Sequence, residues 1–288
     1  MHQASLGYIW ILLAALCWSL LGIVSRVCLD AGVLPLETAF WRAAVGCALF
    51  LVHAACTDGR SVKLRHALLF VLFGVWGVGI FFASLQYSIR LSGGATAVIL
   101  LYTAPVWVAL FARLFFRERI SRRKWLAMGI ALAGTALVSF SGGSLPEHAS
   151  PAGIAWGLLA GLCYASHYPF YRWWQARYST ASIYALMLLG GLAALGLSMP
   201  VRTDFPPQIW LWLTLPGILT CYLAYVCYGL ALRRISLVRA AVICNLEPVL
   251  GTLWVWLFRD ENFLPAGWLG SALVLASVVL LSADPEKD

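Results

Sequence analysis

The chain has 288 residues, of which 62% are hydrophobic and 11% charged. A soluble domain carries roughly 25% charged residues, so this chain has too little polar surface to clothe a globule in water, and lipid is its expected solvent. Its net charge of +8 does not point to nucleic acid, because the basic residues fall in short runs between apolar segments, as topogenic charge beside a membrane does.

A spanning helix needs about 20 apolar residues. In chain order the candidates are 7–29, 36–56, 66–89, 94–116, 124–141, 152–172, 181–199, 210–232, 238–258 and 265–283. The first is too long for a signal-peptide core and has no basic region before it, so it is expected to stay in the protein. It carries Trp18. The second holds Arg42 about two turns in, with Glu37 at its start. Arg42 is a candidate carboxylate anchor, but its nearness to the segment end favours snorkelling to the outer interface. In the third, Gln86 and Tyr87 interrupt an apolar run. In the fourth, Tyr102 and Trp107 flank Pro105. Aromatic side chains of this kind can stack on a flat substrate and supply a hydroxyl or N–H, or form interface belts.

The sixth segment places Tyr164, His167 and Tyr168 at i, i+3, i+4, on one helical face. A helical histidine binds a ligand, titrates, or only packs, and packing is the commoner fate. Trp173, Trp174 and Tyr178, beside Arg172 and Arg177, read as an interface belt. Tyr225 and Tyr228 are i, i+3 partners in the eighth segment. The ninth contains Asn245, Glu247 and Pro248. Glu247 lies nine residues after Val238, about 13 Å into a core of about 30 Å. A carboxyl at that depth faces the bundle interior or a cavity. A functional role, binding a substrate ammonium or carrying a coupling proton, is as good a reading as a protonated carboxyl hydrogen-bonded to the helix that Pro248 disrupts. Proline removes a backbone bond and can kink or break a helix, so Pro105 and Pro248 are candidate hinges.

Two features organise these segments. The stretch GYIWILLAALCWS (7–19) recurs as GIAWGLLAGLCYA (153–165), matching at Gly7/Gly153, Trp10/Trp156, Leu12/Leu158, Leu13/Leu159, Ala14/Ala160, Leu16/Leu162 and Cys17/Cys163. A shift of 143 residues also aligns Pro105 with Pro248, Phe115 with Phe258, Glu118 with Glu261 and Trp125 with Trp268. The expected domains are therefore 1–148 and 149–288, two copies of one five-helix unit. Five is odd, so the second copy enters the membrane from the opposite side. Loop charge agrees. With the N-terminus in the cytoplasm, fourteen of the basic residues fall at inner ends and four at outer ends, Arg42 and Arg113 being within helices. Both termini are then cytoplasmic, in a bacterial inner (plasma) membrane. Trp10 is expected near the inner face and Trp156 near the outer.

The fold class expected is all-α, a polytopic membrane protein with ten transmembrane helices in a five-plus-five inverted repeat. Such a repeat can open a central cavity alternately to either side, with its site near the midplane. YTAPVWVALFARLFFRERIS (102–121) and NLEPVLGTLWVWLFRDENF (245–263) resemble the proline-containing helix, ended by an acidic residue, of the drug/metabolite transporter superfamily, EamA-type branch. The likeness extends over the whole chain, and by analogy the aromatic load and size look most like bacterial aromatic amino-acid exporters. It implies a basket-shaped fold with a cavity lined mainly by helices 1, 3, 4, 6, 8 and 9. Ala104 stands before Pro105 where Glu247 stands before Pro248, a departure between the copies.

The function expected is export of small metabolites, amino acids first, by alternating access, with protons as the candidate coupling ion. The alternatives are a drug or cation exporter of the same fold, a channel, or a membrane-embedded lipid enzyme. Catalysis is not expected: there is no GxxxxGK[ST], HExxH or GxSxG motif. The eight cysteines form no CxxC pair and no zinc-like cluster, so they read as reduced core residues, with no metal or cofactor. The expected partners are a small-molecule substrate and membrane lipid, with the chain a monomer.

Overall fold

A computed structural model describes residues 2–57, 62–141, 150–259 and 264–282, and all regular structure among them is helical. Fourteen α-helices follow in order: α1 (His2–Asp30), α2 (Pro35–Thr57), α3 (Leu64–Gly74), α4 (Phe81–Ser92), α5 (Gly94–Leu101), α6 (Ala104–Phe116), α7 (Arg122–Phe140), α8 (Pro151–Trp174), α9 (Thr180–Ser198), α10 (Pro207–Pro216), α11 (Ala224–Leu232), α12 (Leu237–Cys244), α13 (Leu246–Arg259) and α14 (Pro265–Ser282). Two π-helical segments, Val75–Ile80 and Gly217–Leu223, join α3 to α4 and α10 to α11. Seven helical stretches among the described residues are long and apolar enough to cross a membrane. Helices α7, α8 and α14 are not among them, α14 because its described apolar stretch, Pro265–Leu281, is short; the other two carry polar residues. One opens on Arg122, Arg123 and Lys124, and the other contains Ser166, His167, Tyr168 and Arg172.

The element boundaries repeat. Moved by 143 residues, α5 (94–101) falls on α12 (237–244), and the starts of α3, α4 and α7 fall on those of α10, α11 and α14. The π-helical segments correspond as well, and so do the helix breaks at Tyr102 and Asn245. The packing follows the same exchange. Helix α7 lies on α14, and α2 on α9. Helices α4 and α6 pack on α8 as α11 and α13 pack on α1.

The breaks have a local cause. Pro105 sits in the first turn of α6 and Pro248 in the first turn of α13, where a missing N–H leaves no bond unmade. The chain before each proline turns tightly, with Thr103 N donating to Leu100 O at 3.2 Å and Asn245 N to Val242 O at 3.1 Å. Close helix contact also has a cause. A β-carbon on Gly134 would lie 2.6 Å from the Gly270 carbonyl oxygen, and one on Gly270 would lie 2.5 Å from that of Gly134. Helices α7 and α14 therefore approach backbone to backbone, which is how membrane helices gain contact without a hydrophobic driving force.

At the end of the bundle carrying the α1–α2 turn, the loop before α10 is tied to the start of α2. Arg202 donates through Nε to Glu37 Oε1 and through Nη2 to Oε2, each at 2.7 Å, and through Nη2 to Gly32 O at 2.8 Å. Glu37 also accepts from Leu34 N at 2.8 Å, capping α2. The paired carboxyl holds the Arg202 guanidinium above the usual arginine pKa.

Candidate functional site

A cavity of about 500 Å³ occupies the centre of the bundle, within the ~300–1,000 Å³ of small-molecule sites. Its lining begins at mid-helix on each element and runs towards the α1–α2 turn: Trp18 to Leu29 on α1, Pro35 to Ala43 on α2, Gly77 to Ile89 on the third stretch. The opposite end is closed by Tyr168, Tyr171, Tyr184 and Tyr228, each about 1% exposed. Tyr168 and Tyr228 meet edge to face at 5.2 Å between centroids.

The helix breaks and π-helical segments position the polar groups. The break at Asn245 starts α13 beside the cavity, so Glu247, Pro248 and Gly251 line it. The matching break at Tyr102 brings that side chain to the same lining. The π-helical turn at Val75–Ile80 frees the Gly77 carbonyl, which accepts from His167 Nε2 at 2.8 Å. A carbonyl only accepts, so Nε2 carries the proton. Gly77 must be glycine here: a β-carbon would lie 2.6 Å from His167 Nε2.

Arg42 departs from the snorkelling expectation. It is 9% exposed and lines the cavity, its guanidinium carbon 4.9 Å from the Phe82 ring centroid. The reason is tertiary. Helix α2 packs against α9 and the second π-helical segment, so the face bearing Arg42 is turned inward rather than towards lipid. The aromatic wall consists of Trp18, Phe81, Phe82, Tyr164 and Tyr225, with Trp18 against Tyr225 at 5.6 Å and the His167 ring stacked on Tyr225 at 6.4 Å.

Of the residues singled out from sequence, the cavity brings together Trp18, Gln86, Tyr102, Tyr164, His167, Tyr225, Glu247 and Pro248. Six others lie elsewhere. Tyr87 is exposed and stacks on Trp156 at 5.2 Å. Trp107 is half-buried against the core. Tyr168 and Tyr228 form the closed end, and Asn245 is buried away from the lining. Pro105 is buried at the start of α6. Beyond the sequence candidates, the cavity adds Phe81, Ser25 and Thr38, which no motif marked, and Phe82, which the 143-residue shift could have marked as the mate of Tyr225. The expected belt also divides. Trp173 is exposed, whereas Tyr178 turns inward, its hydroxyl 2.6 Å from His66 Nδ1. Among the described residues no group of three His, Cys, Asp or Glu has metal-site geometry.

Comparison with known proteins places this arrangement. The sequence profile of the EamA-like transporter family matches twice, over residues 5–140 and 151–283. A probable terminal-alkyne amino-acid exporter of Streptantibioticus cattleyicolor is 24% identical, over 95% of this chain and 93% of its own. A riboflavin transporter of Rhizobium johnstonii is 26% identical, over 97% and 91%. One solved crystal structure superposes with a TM-score of 0.82 at 18% identity, covering 98% of this chain and 99% of that one, a likeness of fold. With both halves matched by one profile, in an all-helical membrane-protein fold built from two copies of one unit, the chain belongs to the EamA-like transporter family.

Proposed function

We propose that this protein exports amino acids, aromatic or otherwise apolar, across the bacterial inner membrane by alternating access. The observation that carries the reading is one cavity holding an acid, a base and an aromatic wall: Glu247, Arg42, and Trp18 with Tyr225. A zwitterion presents an ammonium to the first, a carboxylate to the second and its side chain to the third. A purely cationic drug would leave Arg42 opposed to it, which favours the amino-acid reading over the cation exporter. The amino-acid exporter among the relatives supports the substrate class, and the riboflavin transporter supports a flat aromatic ring as a competitor.

The ten-span, inverted arrangement belongs to the same proposal. Helices α3–α4, α5–α6, α10–α11 and α12–α13 each act as one span. The exchange of packing partners between halves supports a two-fold axis in the membrane plane. With both termini cytoplasmic, the cavity opens outward and the tyrosine cluster seals the inner side. The sealed half holds polar atoms without a protein partner, Tyr228 Oη, Asn245 Nδ2, Ser236 Oγ and Gln175 Oε1, which suits a route that becomes wet in the other state. The cavity is complete within one chain, so the working unit is a monomer. Energy comes from the substrate gradient or from protons through Glu247.

Counterflow in proteoliposomes tests this. Vesicles preloaded with unlabelled phenylalanine, tyrosine or leucine should accelerate uptake of the same labelled amino acid, with saturation. Riboflavin and a quaternary-ammonium drug serve as competing loads. Trans-stimulation by the cation alone would replace the substrate class. Linear, unstimulated flux of every solute would replace the transporter by a channel.

A further inference from the structure

We propose that the end of α6 carries a binding site for the phosphate headgroup of an anionic membrane lipid. Arg113, Arg117 and Arg119 line one concavity of about 550 Å³ together with Glu118 and Ile120. All three arginines are exposed. Glu118, the acid in that lining, is engaged by Lys124 Nζ at 3.1 Å, so it does not neutralise them. Guanidinium groups in this arrangement can meet phosphate oxygens two bonds at a time.

Three observations set the cluster apart from ordinary topogenic charge. First, Arg117 has φ 54° and is the non-glycine residue of positive φ among those described. Glycine normally fills such a helix cap, so the backbone does not select arginine here. Second, the repeat does not require it. The residues 143 positions on from Arg113, Arg117 and Arg119 are Trp256, Asp260 and Asn262. Third, the neighbouring surface suits a lipid. Leu114 and Phe115 are exposed, and Trp173 packs on Phe115 at 4.9 Å and on Phe116 at 5.7 Å. An acyl chain can lie along this apolar shelf while the headgroup stays with the arginines. In the proposed topology the site faces the cytoplasmic leaflet, where anionic lipid attracts basic clusters.

Native mass spectrometry of the full chain in detergent tests the site, using phosphatidylglycerol, phosphatidylcholine of the same acyl chains, and inorganic phosphate. Phosphatidylglycerol should be retained about tenfold better than phosphatidylcholine, and the preference should fall about fivefold for each guanidinium lost. Arg117→Gly is the decisive variant. It removes a guanidinium but suits the left-handed backbone, so the lipid-free Tm should hold or rise while the lipid preference falls. R113Q/R119Q should lower the preference further, and K63Q/R65Q, which removes two exposed charges before and in α3, should leave it unchanged. Full preference in R117G overturns the site, as does an equal loss in K63Q/R65Q. Displacement of phosphatidylglycerol by millimolar inorganic phosphate would assign the arginines to a soluble anion instead.

Discussion

An ionisable side chain at mid-membrane costs several kcal/mol unless it is paired or wetted. Glu247 sits near such depth in the proposed span arrangement and Arg42 about two turns from its helix end, and both line the same cavity. A shared cavity puts opposite charges in one space, where water or substrate can reach both, and Tyr102 lines the same space. The proton role of Glu247 is separable from binding. Glu247→Gln keeps the shape but cannot exchange a proton. Accumulation driven by a pH gradient across proteoliposomes should then be lost while counterflow persists. Unchanged gradient-driven accumulation would leave Glu247 with a binding role alone.

At the scale of elements, function depends on helices that are interrupted in register. The breaks at Tyr102 and Asn245 and the π-helical turns at Val75–Ile80 and Gly217–Leu223 occur once per copy. Each lets backbone or side-chain polar groups reach the cavity without exposing them to lipid. Helices α7 and α14 contribute nothing to the lining and hold each other instead. Their crossing at Gly134 and Gly270 should be intolerant of bulk. Gly134→Leu forces the helices apart and should cost about 1–3 kcal/mol, as overpacking does. A lowered Tm in detergent, with the substrate affinity of the surviving folded fraction intact, would assign this pair to structure alone. An unchanged Tm would mean that α7 and α14 can separate freely.

For the whole molecule the orientation in the membrane decides which way the cavity faces. The natural cysteines make that measurable. Seven of the eight are buried, and Cys56, at the end of α2, is exposed. With the N-terminus inside, Cys56 is cytoplasmic. Cys221 lines the cavity, so in a Cys221→Ser background a membrane-impermeant maleimide should label Cys56 in inverted vesicles and not in intact spheroplasts. Labelling in spheroplasts would invert the topology and turn the open cavity inward.

Much of this was legible in the chain itself, because it is one-dimensional information. Apolar run length places helices, loop charge sets an expected direction, and a fixed offset of costly residues such as proline, glutamate and tryptophan reveals duplication. Glu247 stood out for the same reason, since a carboxyl inside an apolar run has few harmless places to be. Facing is different. Tyr164 and Tyr168 lie one turn apart, yet the first lines the cavity and the second plugs its closed end. Tyr87 follows Gln86 and leaves the site altogether. Arg42 looked close enough to a helix end to reach water, and packing of α2 on α9 turned it inward. Which side of a helix meets a cavity depends on rotation against its neighbours, and in a bundle apolar all round the sequence carries no polar face to reveal it. The assembled helices, not the order of residues, settle where acid, base and aromatic wall converge.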